Sequence, residues 1–304
     1  MFKPTGSWVA LPTPYDKNGK IDFGVFKEII DRQIEYGTSE LFVMGSAGEV
    51  TLLTPEERET IVKKVIKLTK GRIPVFFNAS YTLTKDAVQF AKFAENEGAD
   101  GLIFTAPPYL LPPQSAILEH LRACMRAVSV PVGVYNNPSR LGVELEVDTL
   151  VTLAKEMPNF IVDKEAVPSV AHLVEVKRQV GDKLNILCCD APGYSIVLPT
   201  LAVGGNGTAN IGGNIIPEEM ALISRPWDSI EKVEESRNTY FKYYPLLKAL
   251  YWFSNPIVIK AAYELLGLPL GGIRRPYPDL EVEYKEDLRQ IMTDLGVIDK
   301  YRVN

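Results

Sequence analysis

Histidine and cysteine are scarce in this chain. Among 304 residues only two histidines occur, His120 and His172, and three cysteines, Cys124, Cys188 and Cys189. No cysteine/histidine spacing suits a zinc site, so no metal is expected. Three thiols cannot build a fully paired disulfide framework, and two of them are adjacent, which points to a reducing, cytoplasmic setting. Cys188 and Cys189 read as small buried residues rather than redox groups. No Lys/Arg-rich block stands out, and acidic residues exceed basic ones by 38 to 33, so nucleic acid is not an expected partner. No apolar run approaches the ~20 residues of a membrane span, and the first residues lack a signal-peptide core, so no membrane partner is expected. A hydrophobic share of 46% with 23% charge excludes a disordered or fibrous chain.

What the sequence does contain is alternation. Short apolar runs at residues 8–11, 40–44, 73–78, 101–105, 131–135, 160–164, 184–188 and 205–210 have the composition of strands buried on both faces. Between them lie segments with helical periodicity. Phe23, Phe26, Ile29, Ile30 and Ile34 share one helical face, and Thr54-Pro55-Glu56-Glu57 reads as a helix start. Gly37 and Gly98 stand where helices should stop. The stretch Glu35 to Val43 is echoed by Glu97 to Phe104: helix end, glycine, acidic residue, buried strand. Eight such units predict a (β/α)₈ barrel. A doubly wound sheet is disfavoured, because no Gly-x-Gly-x-x-Gly follows the first run. After Arg225-Pro226 the strands cease, and residues 227–248, 256–266 and 280–295 look helical. The expected division is a catalytic barrel over residues 1–225 and a C-terminal helical region over 226–304, packed on the barrel because no Ser/Gly linker separates them.

In such a barrel, chemistry sits at the C-terminal ends of the strands. Lys164 ends the sixth run. A lysine directed into the barrel is costly unless paired or neutral, and a neutral amine attacks carbonyls; the plainer alternative is a pair with Asp163 or Glu165. Tyr135 ends the neighbouring fifth run, as a proton carrier or a core tyrosine. Arg140 follows in the loop, suited to a carboxylate or merely solvated. After the second run, Gly45-Ser46-Ala47-Gly48-Glu49 is an anion nest with a hydroxyl, or only a turn. Prolines on both sides of Tyr109 stiffen its loop. Asn78, Ser80 and Tyr81 either line an inhibitor site or cap a loop. The main four converge as one site: nucleophile, proton carrier, nest and guanidinium.

Taken together, Gly45-Ser46-Ala47-Gly48-Glu49, Tyr135-Asn136-Asn137-Pro138-Ser139-Arg140 and Asp163-Lys164-Glu165-Ala166 resemble the dihydrodipicolinate synthase / N-acetylneuraminate lyase family. Pro12-Thr13-Pro14, Pro108-Tyr109, Gly204-Gly205-Asn206-Gly207 and Asn255-Pro256-Ile257-Val258-Ile259-Lys260 add to the resemblance, which spans nearly the whole chain. It implies an imine-forming 2-oxo-acid lyase or synthase that needs no cofactor beyond a covalent imine with pyruvate at Lys164. Tyr135 and Ser46 match the family's proton relay, and Tyr109 matches a tyrosine that enters a neighbouring subunit's site in a homodimer or homotetramer. Ala47, Gly48, Arg140, Cys189 and Ile211 are the implied substrate-binding positions. Ala47 replaces a usual hydroxyl residue, and Cys188-Cys189-Asp190 replaces Ser-Gly-Asp. Arg140 points to pyruvate and aspartate semialdehyde as the substrates. The competing expectations are a 2-keto-3-deoxy sugar-acid aldolase or dehydratase, to which Ala47 and Cys189 point, and a non-catalytic binding barrel.

Overall fold

The computed structural model describes residues 4–189 and 193–303. Eight strands alternate with helices: β1 (Gly6–Ala10), β2 (Glu40–Val43), β3 (Val75–Asn78), β4 (Gly101–Thr105), β5 (Val132–Asn136), β6 (Phe160–Glu165), β7 (Asn185–Cys189) and β8 (Gly207–Asn210). All pair in parallel in sequence order, and β8 closes on β1. The expected (β/α)₈ barrel is therefore the fold. Each apolar run became a strand because its residues are covered on one face by the barrel interior and on the other by helices.

Most strand boundaries moved from the expected runs, by one residue each except at three that moved by two: the starts of β1, β3 and β8. The eighth run begins at Gly207 rather than residue 205 because the preceding residues turn, with Gly204 at φ +84°. A Cβ on Gly207 would lie 2.1 Å from the Gly6 carbonyl oxygen, so only glycine lets β8 approach β1. That same pairing extends β1 back to Gly6.

The helix starts and stops follow the local chemistry. Thr54 caps Pro55–Thr69 with a full capping box, its hydroxyl accepting from the Glu57 amide while the Glu57 carboxylate accepts from the Thr54 amide. Beyond the barrel, the helices Ile230–Ala249, Ile257–Leu265, Val282–Asp294 and Val297–Tyr301 carry the chain back against it. Buried Glu219 ties the last of these down, accepting from Lys300 Nζ at 2.8 Å and the Tyr301 hydroxyl at 2.6 Å.

The direction of the barrel side chains follows from who meets whom. Trp8 on β1 and Phe76 on β3 are not on neighbouring strands, yet their rings lie 4.4 Å apart, so both point inward. Lys164 on β6 likewise reaches across to Phe42 on β2, its Nζ 4.6 Å from the ring centroid. A bulge sets this direction. Val132 pairs with Phe160 but Gly133 pairs with Val162, so β6 gains one residue against β5 and the parity of everything after it is fixed there. Asn185 Nδ2 donates to the carbonyl of the extra residue, Ile161, at 2.9 Å.

The opposite end of the barrel holds a carboxyl with a stability cost. Glu40, at the start of β2, is 4% exposed, and burial pushes its carboxyl up to about 8. Because the folded value lies above the ordinary one, the fold is most stable with this group neutral. That stability is present below the ordinary carboxylate range and is lost as pH rises towards about 8. Glu40→Gln is therefore expected to raise the melting temperature by a few degrees above pH 8, with the gain shrinking towards zero at about pH 4. Melting curves of both proteins across that range check it; equal gains at every pH would contradict the titration account.

Candidate active site

Parallel pairing places Tyr135 opposite Lys164, so both point inward from the C-terminal ends of β5 and β6. Lys164 is 4% exposed, and its Nζ lies 3.6 Å from the Tyr135 ring centroid. Alternation along β6 turns Asp163 and Glu165 outward, away from the lysine. Glu165 is instead engaged behind the barrel wall, 2.9 Å from His172 Nε2 and accepting from the Val167 amide at 2.7 Å. Asp163 is fully buried, and desolvation, reinforced by Glu165, pushes its carboxyl well above the usual range.

The Tyr135 hydroxyl accepts from Asn137 Nδ2 at 2.6 Å and lies 3.3 Å from Cys189 Sγ at the end of β7. Burial, and then the Cys189 thiol, raise this phenol well above its ordinary value, while the charge of Arg140 opposes the shift. The group is therefore a phenol, not a phenolate, at neutral pH. Arg140 stands on the short helix Pro138–Leu141 that follows β5.

A cleft of about 500 Å³ opens over these strand ends. Tyr135, Ser46, Arg140 and Glu49 line it, together with Pro108, Arg58 and Ser80. The Gly45–Glu49 loop bends sharply between Met44 at φ +62° and Glu49 at φ +55°. Gly45 must lack a side chain, since a Cβ there would sit 2.6 Å from the Phe42 ring. The turn consumes the Gly48 amide, which donates to the Gly45 carbonyl at 3.1 Å, and the Glu49 amide, which donates to Ser46 at 3.1 Å. The Ser46 hydroxyl accepts from Asn255 Nδ2 at 3.5 Å. Ala47 is buried behind the cleft, and Ile211, also buried, caps the turn after β8 through its carbonyl.

The family model for the dihydrodipicolinate synthetase family matches residues 3–295. The chain belongs to that family. It is 32% identical over 299 residues to 4-hydroxy-tetrahydrodipicolinate synthase of Methanocaldococcus jannaschii, covering 98% of this chain and 100% of that one. It is 35% identical over 301 residues to the same-named protein of Persephonella marina, with coverage of 98% and 100%. Among solved structures, dihydrodipicolinate synthase from Aquifex aeolicus superposes with a TM-score of 0.90 at 30% identity, covering 97% and 99% of the two chains. The synthase from Cyanidioschyzon merolae, solved with lysine bound, gives 0.92 at 29% identity, covering 96% and 98%.

Within this dihydrodipicolinate synthetase barrel, the residues singled out from sequence are distributed unevenly. Lys164, Tyr135, Ser46, Arg140 and Cys189 converge. Tyr109 does not reach its own chain's cleft: it is 93% exposed and held at φ +73°, beside exposed Leu110 and Leu111. Of the roles considered for Asn78, Ser80 and Tyr81, the loop cap is present: Asn78 Oδ1 accepts from the Ser80 amide at 2.8 Å. All three residues lie in the lining of the cleft. Asp190 lies outside the described residues.

Sequence reading missed three supports. Asn137 is one. The second is a buried strut behind the Gly45–Glu49 loop: Lys260 Nζ is 2.7 Å from Glu49 Oε1, and the Arg274 amide donates to Glu49 Oε2 at 3.1 Å. Burial lowers Lys260, and the charge and hydrogen bond of Glu49 oppose the shift. The only signal was the Asn255–Lys260 motif, noticed but given no role. The third is Asn136, whose side chain exchanges two bonds with the Leu145 backbone at 3.0 and 2.9 Å and so fixes the return of the Arg140 loop.

Proposed function

We propose that the chain condenses pyruvate with aspartate semialdehyde, as a 4-hydroxy-tetrahydrodipicolinate synthase. The observation that carries this reading is the juxtaposition of the Lys164 amine and the Tyr135 ring, 3.6 Å apart, where Tyr135 lines a cleft together with Arg140 and Ser46. The names of the similar proteins support it.

In this reading Lys164 attacks the keto carbon of pyruvate, giving a carbinolamine. The Tyr135 phenol donates its proton to the departing hydroxyl, water leaves, and a protonated imine forms. The phenolate then takes a proton from C3, and the electron pair moves towards the imine nitrogen to give an enamine. The enamine carbon attacks the aldehyde carbon, whose oxygen is protonated by Tyr135. The semialdehyde's amine then adds to the imine carbon, and the bond to Lys164 breaks to free its amine. The proton lost from the resulting cyclic imine returns to the Tyr135 phenolate. The Ser46 and Ala47 amides face the pyruvate carboxylate, and Arg140 takes the carboxylate of the semialdehyde. With Ala47 in place of a hydroxyl residue, one side-chain hydrogen bond to the pyruvate carboxylate is missing, a loss of roughly 1–3 kcal/mol. This chemistry calls for no metal. The exposed Tyr109 and its apolar neighbours suit burial against a second copy of the chain, where the phenol would join the partner's proton relay.

Arg140→Ala tests the assignment of the second substrate. The expected result is a rise in the semialdehyde KM of about 100-fold, the worth of a charge-assisted bidentate contact, with imine formation from pyruvate unchanged. Unchanged semialdehyde kinetics would overturn the synthase reading and turn attention to 2-keto-3-deoxy sugar acids.

A further inference from the structure

We propose that Asn137 is a positioning residue that joins the two halves of the site, its side-chain oxygen capping the turn that presents Arg140 while its side-chain amide holds the Tyr135 phenol. The inference rests on the imine reading above and deepens it.

Asn137 is fully buried and stands at the N-cap of Pro138–Leu141. Its Oδ1 accepts from the Ser139 hydroxyl at 2.6 Å and from the Arg140 amide at 3.2 Å. An amide turned the other way would set its NH₂ against the Arg140 N–H, two donors facing each other, so the cap fixes which end meets the phenol. The end that does is Nδ2, 2.6 Å from the Tyr135 oxygen. The phenol oxygen is thereby an acceptor, and its single proton is left to point elsewhere.

Among the described residues, three other groups face the phenol. Lys164 approaches its ring from β6, Cys189 reaches its oxygen from β7, and the charge of Arg140 acts on it from the turn. Of these the thiol disfavours the phenolate and Arg140 favours it. A fixed N–H donor stabilises a phenolate more than a phenol, so Asn137 acts when Tyr135 has given up its proton and must take one from C3. One side chain thus serves proton transfer through one end and aldehyde recognition through the other. An apolar residue here would do neither.

Two variants separate the ends. Asn137→Asp keeps an acceptor for the cap but puts a carboxylate where the donor was; Asn137→Ala removes both. Three readouts are taken on each protein: borohydride trapping of the pyruvate imine, exchange of the pyruvate methyl protons in D₂O followed by NMR, and the semialdehyde KM. In Asn137→Asp, trapping is expected to persist, methyl exchange and kcat to fall about tenfold, and the semialdehyde KM to stay within about twofold. In Asn137→Ala, exchange falls similarly and the semialdehyde KM also rises. Wild-type exchange rates in both variants would overturn the role of Asn137 while leaving the imine reading intact. Loss of trapping in both variants would overturn it too, in favour of a residue needed only to build the site. Failure of the wild-type protein to trap pyruvate would overturn the imine reading and the Asn137 role with it.

Discussion

Lys164→Ala is expected to abolish condensation, lowering kcat by at least about 10⁴-fold, as loss of a covalent nucleophile does in other enzymes. Nothing else described near the cleft can replace it. Lys260 is also buried, but it is committed to Glu49 at 2.7 Å and to the Gly272 carbonyl at 2.9 Å, behind the loop rather than in the barrel. Lys164→Arg should be equally inactive, since a guanidinium keeps the charge but cannot form the imine. Folding should survive both changes. Lys164 makes its closest ring contacts with Phe42 and Tyr135, and burying an amine is a cost the fold bears for function. Steady-state kinetics with thermal melting checks this. A variant retaining a tenth of the activity would show that the lysine only binds substrate.

Tyr135→Phe is expected to lower kcat by about 10²- to 10⁴-fold, the usual worth of a general acid–base group. The shape of the ring is retained, so Lys164 keeps its aromatic floor. What is lost is the proton carrier between imine formation and C3 deprotonation. Both half-reactions should slow together, measured as the rate of borohydride-sensitive adduct formation and the rate of methyl-proton exchange. The substitution also strands Asn137 Nδ2, fully buried and now without its phenol, at roughly 1–3 kcal/mol of stability. A fall in melting temperature should therefore accompany the fall in rate. If exchange slowed but adduct formation did not, Tyr135 would serve only the second step.

How much of this was legible beforehand depends on range. The eight strands were readable because each is a short apolar run, and Lys164 stood out because a cation at the end of such a run needs a reason. The convergence of Ser46, Tyr135 and Arg140 followed from the rule that strand ends share a face. The Asp163 or Glu165 pairing considered for Lys164 failed because alternation sends neighbours to opposite sides of the wall. That parity itself rests on the bulge at Ile161, which no local pattern announces. The contact between Tyr135 and Cys189 was equally hidden: it spans two strands and exists only because the barrel curves both side chains inward. Asn137 was legible only as a member of the Tyr135–Arg140 motif, because its residue type does not say which groups it will bond. Its second bond appears only when the end of β5 is folded back over the phenol. The Glu49–Lys260 strut joins residues from opposite ends of the chain, beyond anything periodicity reports.

The most direct test of the central claim is reduction with borohydride in the presence of pyruvate, followed by peptide mass spectrometry. The account predicts a single reduced pyruvyl adduct, on Lys164. An adduct on another lysine, or none on a folded protein, would contradict it.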